Sequence, residues 1–366
     1  MSAIAFYISG HGFGHASRQI QIINAVAARL PAVQIFLRTS AARWLLDRTI
    51  TPPFIVDPEP CDIGVVQIDS LRLDAGATIE QAREFYRTFG ERAEIEAAKL
   101  RARDVALVIS DAPPLASAAA AAAGVPSIVV SNFTWDWIYE EYREHLSSAP
   151  ELIPTIQEAY RHARAAWRLP MHGGFETFQT IVDVPFVARH ARHERLETRT
   201  RLGLPATGRR LALLSFGGYG VSDLDLPSLD CLDMWEVVVT GTTAPGSIPR
   251  GVHFIYEQDI YDRGLRYEDL VHSVDAVVTK PGYGIISECI ANETAIVYTS
   301  RGRFPEYDVL VREMPRYLRS AYIHQDCLRA GQWRAALNAA SSAPAPPEHP
   351  RTDGAAVIAE MIAAIM

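Results

Sequence analysis

Short apolar runs alternate with stretches of helical period along most of the chain. Ala3–Ile8 is apolar and stops at Ser9-Gly10, which predicts a buried strand followed by a tight turn. From His15 to Leu30 the apolar residues Ile20, Ile23, Val26, Ala27 and Leu30 recur at helical spacing. A strand over Val33–Leu37, a helix near Ala41–Asp47 and a short strand over Phe54–Val56 follow. The pattern then predicts a long amphipathic helix over Ile79–Arg101, a strand over Val105–Ile109 and an Ala-rich helix over Pro113–Ala123, stopped by Gly124-Val125-Pro126. Ser127–Val130 reads as a strand, and Trp135–His145 and Glu151–Ala165 read as helices. Strand–helix–strand alternation is the mark of a parallel α/β sheet.

Between about Pro185 and Arg210 the chain turns polar and rich in Arg and His, which predicts a linker. The alternation then restarts. Strands are expected over Leu211–Ser215, Trp235–Thr240, Val252–Tyr256, Ala276–Thr279 and Ala295–Tyr298, with helices over Tyr267–Ser273 and Gly284–Ala291. The Pro/Ala segment Ser341–Pro350 leads to a last helix, Ala355–Ile365, apolar enough to need a docking surface. The expected organisation is a first Rossmann-like domain over residues 1–195 and a second over residues 196–350. Residues 351–366 are expected to pack back on the first.

The composition suits this reading. With 48% hydrophobic and 21% charged residues in 366, the chain is neither collagen-like, disordered nor coiled-coil. The low-charge stretch Val105–Val130 is broken by Asp111, three prolines and Gly124, so no membrane span is expected. Met1–Gly10 has no basic leader region, and the four cysteines stand far apart without metal-ligand spacing; both fit a cytoplasmic protein. The net charge of -8 argues against a nucleic-acid partner. The only lysines are Lys99 and Lys280, and Lys280 stands beside Pro281-Gly282.

Five segments carry candidate chemistry. Gly10-His11-Gly12-Phe13-Gly14-His15-Ala16-Ser17-Arg18 joins the first strand to the first helix, where glycines let backbone N–H groups approach a ligand. It is not the dinucleotide fingerprint, since His15 and Ser17 stand where G-x-G-x-x-G needs its last glycine. Ser110-Asp111-Ala112-Pro113-Pro114 follows another strand; Asp111 could cap the next helix or hydrogen-bond an imidazole from the neighbouring loop. Thr279-Lys280-Pro281-Gly282-Tyr283-Gly284-Ile285-Ile286-Ser287-Glu288 has the form strand, glycine turn, helix start, and it is not a Walker P-loop. Its amides and Lys280 suit a diphosphate, and Glu288, one turn on, suits ribose hydroxyls. Ser300-Arg301-Gly302-Arg303-Phe304-Pro305-Glu306 could hold sugar hydroxyls or a phosphate face, and Gly217-Gly218 could add backbone donors to the same diphosphate. Asp223 and Asp225 form a D-x-D that reads as a chance match, so no metal site is expected.

Two α/β halves, each with a glycine loop at a strand's carboxyl end, resemble a GT-B glycosyltransferase. Gly14-His15-Ala16-Ser17-Arg18 resembles the first-loop G-H-x-x-P of inverting nucleotide-sugar transferases, with Arg18 where proline is usual. More narrowly, GHGFGH, SNFTWDWIY and KPGYGIISE resemble the glycosyltransferase-like N-terminal region of L-arabinokinases and its free-standing bacterial relatives. The sugar-kinase half of those proteins has no counterpart here, so the resemblance does not imply kinase activity. It implies two doubly wound domains facing a cleft, His15 as catalytic base and Asp111 as its dyad partner. It also implies that Lys280 to Gly284 with Ser287 and Glu288 bind the donor nucleotide, with Gly14, Gly217 and Gly218 beside them, and that Arg303 and Glu306 face the donor sugar. His11, Arg18, Asn132 and Trp135 are acceptor-side candidates, along with the 60–80 loop.

The expected reaction is inverting, metal-independent transfer from a nucleotide diphosphate sugar, UDP-linked, to an acceptor hydroxyl, with no separate cofactor. Two alternatives stay open at this point: a UDP-sugar 2-epimerase-like enzyme, and a non-catalytic nucleotide-sugar-binding protein.

Overall fold

The computed structural model describes residues 2–217, 224–225, 228–229, 232–244 and 246–366. Seven strands form the first sheet: β1 (Ala3–Ile8), β2 (Gln34–Arg38), β3 (Phe54–Asp57), β4 (Val105–Asp111), β5 (Ser127–Phe133), β6 (Ala165–Gly173) and β7 (Ile181–Asp183). Their spatial order is β3-β2-β1-β4-β5-β6-β7, and every pairing is parallel. Six strands form the second: β8 (Arg210–Ser215), β9 (Trp235–Gly241), β10 (Val252–Tyr256), β11 (Ala276–Thr279), β12 (Ala295–Tyr298) and β13 (Ser320–Tyr322). Their order is β10-β9-β8-β11-β12-β13, again all parallel.

Helices cover both faces of each sheet, which is why the central strands read as unbroken apolar runs. On β1, Ile4, Phe6 and Ile8 enter one core and Ala3, Ala5 and Tyr7 the other. On β11, Val277 faces one core and Ala276 and Val278 the opposite one. In each sheet the strand order reverses once, between β1 and β4 and between β8 and β11. Such a reversal opens a crevice at the carboxyl ends of the two strands, the place where open α/β sheets bind ligands. The helix Gly354–Ala363 lies against the first helix, Phe13–Arg29, and buries Ile358, Ala359 and Ile362 in the core of the first sheet.

Several elements differ from the sequence expectation. The helix expected over Ile79–Arg101 is two, Ala75–Arg87 and Phe89–Ala102, divided at Thr88; Asp74 caps the first through the Ala77 amide at 2.8 Å. The helix expected to reach Ala165 ends at Arg161, and β6 begins at Ala165. The segment from Trp135 is helical only to Glu140. The polar stretch expected as a bare linker contains a helix, Arg195–Leu202, closed by Gly203 at φ 71. Past β12, the helices Glu306–Glu313, Gln325–Arg329 and Arg334–Ser342 and the short strand β13 carry no prior expectation.

Candidate active site

The register of the first sheet sets Ile8 of β1 beside Asp111 of β4, so the loop after β1 and the end of β4 share one edge. Gly12 begins the first helix at φ 81, a conformation that strains any L side chain, and a side chain at Gly10 would run into Ser40. The helix has no acidic residue in its first turn and no side-chain cap. Its first N–H groups and positive dipole end therefore stay available to an anion. His15 sits in that first turn with its side chain only 11% exposed. Its Nδ1 is 2.7 Å from Asp111 Oδ2, and its ring meets Phe133 edge-on at 5.6 Å. A carboxylate can only accept, so Nδ1 carries the proton and Nε2 is left with a free lone pair.

Arg18, one turn further on, takes the other oxygen of Asp111 and donates to Asn132 Oδ1 at 2.5 Å. Burial alone would raise the Asp111 carboxyl. Arg18 and His15 outweigh it and hold the group below the usual carboxylate range. Asn132 thus braces Arg18 and does not line the main cavity; its amide donates to the Pro170 carbonyl at 2.6 Å. His11 lines the cavity but accepts at Nε2 from the Gln67 amide at 2.7 Å. Burial, then the neighbouring His15, Arg301 and Lys280, push its pKa down to about 3, so His11 stays neutral. Trp135 lines the wall and donates Nε1–H to the buried Asp62 at 2.9 Å. Burial pushes the Asp62 carboxyl up to about 6.

In the second sheet Thr279 pairs with Ser215 on one side and Tyr298 on the other, so the loops after β8, β11 and β12 leave one edge together. The helix Tyr283–Ala291 also lacks a first-turn acid and a side-chain cap. A Cβ on Gly284 would lie 3.4 Å from the Gly14 backbone, so the two helix starts almost touch across the cleft. Lys280 lines the cavity and has no carboxylate within ion-pair distance among the described residues. Burial and the neighbouring Arg301 push its pKa down to about 7. Gly217 lines the same cavity at φ 70, while Gly218 and Asp223 lie outside the described residues.

Four candidates stand differently from the expectation. Arg303 points out of the cavity, pairing with Glu144 and donating to the Glu141 carbonyl at 2.6 Å on the first domain's surface. Arg301 takes the inward position: its guanidinium packs 3.5 Å over the Phe304 ring and donates to Glu306 at 2.9 Å. Pro281 does not line the cavity. The Ser287 hydroxyl donates to the Gly284 carbonyl at 2.9 Å and lines only a small adjoining pocket with Arg18 and Asn132. Glu288 does face the cavity, but Arg189 donates to its Oε1 at 2.7 Å and reaches Glu268 at 3.3 Å. One Glu288 oxygen is thus committed before any ligand arrives.

Sequence reasoning missed Arg189, whose only signal was the Arg-rich stretch taken as a linker. It also missed Trp44, which meets Tyr261 of the second domain edge-on at 5.8 Å. The cavity between the two switch points holds about 640 Å³, within the range of small-molecule sites. The helix start at Tyr283 and Lys280 border it from the second sheet, and the helix start at Phe13 with His15, held by Asp111, borders it from the first. Among the described residues no group of three or more His, Cys, Asp or Glu side chains is placed to hold a metal ion, and no helix is long and apolar enough to cross a membrane.

No family model matches the chain. In sequence it is similar to L-arabinokinase of Arabidopsis thaliana, 31% identical over 352 residues, which takes in 92% of this chain and 32% of that protein. The chain thus spans about a third of that relative's length. In structure it is similar to the glycosyltransferase of kitacinnamycin, 17% identical with a TM-score of 0.64, covering 100% of this chain and 99% of the other. It is also similar to a UDP-glucosyltransferase from Polygonum tinctorium, 12% identical with a TM-score of 0.59, covering 100% and 98%. The calicheamicin glycosyltransferase CalG4 aligns at 14% identity and a TM-score of 0.60, covering 100% and 98%. The chain has the GT-B fold of these glycosyltransferases.

Proposed function

We propose that the protein is an inverting glycosyltransferase that moves a sugar from a nucleoside diphosphate sugar to an acceptor hydroxyl. One observation supports this reading above the others: His15, held by Asp111 at 2.7 Å, lines the same cavity as an uncapped helix start and Lys280, which has no ion-pair partner among the described residues. His15 Nε2 takes the proton of the acceptor hydroxyl as its oxygen attacks the anomeric carbon from the side opposite the diphosphate. The new C–O bond forms as the bond to the diphosphate oxygen breaks, so the anomeric configuration inverts. Asp111 holds the ring and stabilises the imidazolium. Charge grows on the departing diphosphate, and the amides at Tyr283 to Ile285 with Lys280 meet it where it develops. In this reading no metal and no bound cofactor takes part, and the reaction belongs to the cytoplasm.

The acceptor enters from the first domain, past His11, Gln67, Val65 and Trp135. Glu288 offers its remaining oxygen to the ribose, with Arg189 fixing the carboxylate's orientation. The test is to incubate the protein with a panel of nucleotide sugars and acceptors and to separate free diphosphate, glycosylated product and epimer. Acceptor-dependent release of free diphosphate supports transfer. Epimer formed without acceptor, or tight binding with no turnover across the panel, refutes it.

A further inference from the structure

The carboxyl edge of the second sheet carries a fixed order of chemistry. Read from β10 through β9, β8 and β11 to β12, it presents Glu257, Thr240, Gly217, Lys280 and Arg301, all lining the cavity. If the diphosphate lies at Lys280 and the sugar toward Arg301 and His15, the nucleoside extends the other way. β10 lies three strand spacings from β11, about 14 Å. The walls at that end are apolar: Leu214, Val239, Ile260 and Tyr261. Tyr267 lies there too, its hydroxyl engaged with Ser215 Oγ at 2.6 Å.

Glu257 lines that end, the Arg189–Glu288 pair standing near Tyr261 and Tyr267 is already satisfied within itself, and among the described residues no hydrogen bond or ion pair satisfies the Glu257 carboxylate. Burial raises its carboxyl above the ordinary value, and no cation among the described residues offsets the rise. A partly buried carboxylate without donors is costly, so a ligand that brings donors is favoured there.

We infer that this end of the cavity selects guanine, making the donor a GDP-linked sugar. The inference rests on the donor-site reading above and departs from the uridine expected from the sequence. A carboxylate only accepts, through two oxygens side by side. Uracil and thymine present a single N–H flanked by two carbonyl oxygens, so the second carboxylate oxygen would face another acceptor. Adenine and cytosine present an amino group beside a ring nitrogen that also accepts. Guanine alone sets two donors together, N1–H and the N2 amino group, and both oxygens of Glu257 are then used.

The test is titration calorimetry of the full chain with GDP, IDP, UDP, dTDP and ADP, and of the Glu257→Gln variant with the same set. IDP differs from GDP only in lacking the N2 amino group. GDP should bind the wild type about 10- to 100-fold more tightly than IDP or UDP, and Glu257→Gln should remove that preference. UDP or dTDP binding as tightly as GDP overturns the guanine assignment, a preference that survives in the variant overturns Glu257 as the group that reads the base, and either result leaves the donor site standing. Binding by none of the five overturns the donor-site reading and this inference together. The GDP-to-IDP comparison is made on the wild type, so it decides even if the variant does not fold.

Discussion

Lys280 should take up a proton when a nucleoside diphosphate binds. Burial and Arg301 push its pKa down to about 7 in the free protein, against an ordinary 10.5. At pH 8 only about a tenth of the free protein then carries the charge, and at pH 7 about half. A diphosphate against the amine reverses the balance, because an adjacent anion favours the ammonium form and restores its ordinary value or more. Binding should therefore take up about 0.9 proton per diphosphate at pH 8 and about 0.5 at pH 7. The sign follows for affinity. The protonated form is the one that binds, so the dissociation constant should rise with pH above 7, approaching about tenfold per pH unit. Calorimetry at pH 8 in buffers of different ionisation enthalpy reads the uptake directly. Asp62, at about 6, is largely ionised at that pH and contributes little. The terminal phosphate, with a pKa near about 6, is also ionised. No uptake at pH 8, or the same uptake in Lys280→Met, would refute the placement of the diphosphate at this lysine.

Three further outcomes test other parts of the structure. Deleting residues 351–366 should cost about 3–6 kcal/mol, since two isoleucines leave the first domain's core; hydrogen exchange should show β1 and β2 losing protection before β8 and β11, and the reverse order would contradict the docking. Arg189→Met leaves Glu288 and Glu268 buried without their cation and should lower stability in urea by about 3–5 kcal/mol; a loss under about 1 kcal/mol would mean that the pair is dispensable. Arg303→Ala should leave nucleotide-sugar affinity unchanged while Arg301→Met weakens it, and titrations ranking them the other way would return Arg303 to the cavity.

The strands at the switch points were legible because they are buried on both faces, so β1, β4, β8 and β11 read as apolar runs bounded by turn residues. The glycine loops were legible for a related reason: Gly12 and Gly217 occupy left-handed backbone positions that few other residues tolerate. β6 was not legible. Pro170 interrupts it, Met171 adopts φ 58, and its pairing with β5 shifts register after Ser131, so no alternation survives. The division at Thr88 was not legible either: Gly90, the nearest glycine, lies inside the second helix rather than at the break, and Phe85 and Phe89 on either side enter the same core.

At the site, the residues on glycine loops could be named, but the residues that neutralise or orient them could not. Arg189 reaches Glu288 from 99 positions away. Arg18 meets Asp111 across 93 positions and Asp62 meets Trp135 across 73. No local pattern encodes such contacts. Arg301 turns inward over Phe304 and beside Glu306 of its own loop, while Arg303 turns outward over Tyr142 and meets Glu144 and Glu141, 159 and 162 positions away.

The central claim is that His15 removes the acceptor proton from within the cleft. The most direct measurement compares wild type with His15→Ala, using the donor that binds best, for both donor dissociation constant and turnover. The account predicts an unchanged dissociation constant and a turnover about 10²- to 10⁴-fold lower in the variant, with the wild-type product of opposite anomeric configuration to the donor. Undiminished turnover in His15→Ala, or a product that retains the donor's configuration, would contradict it.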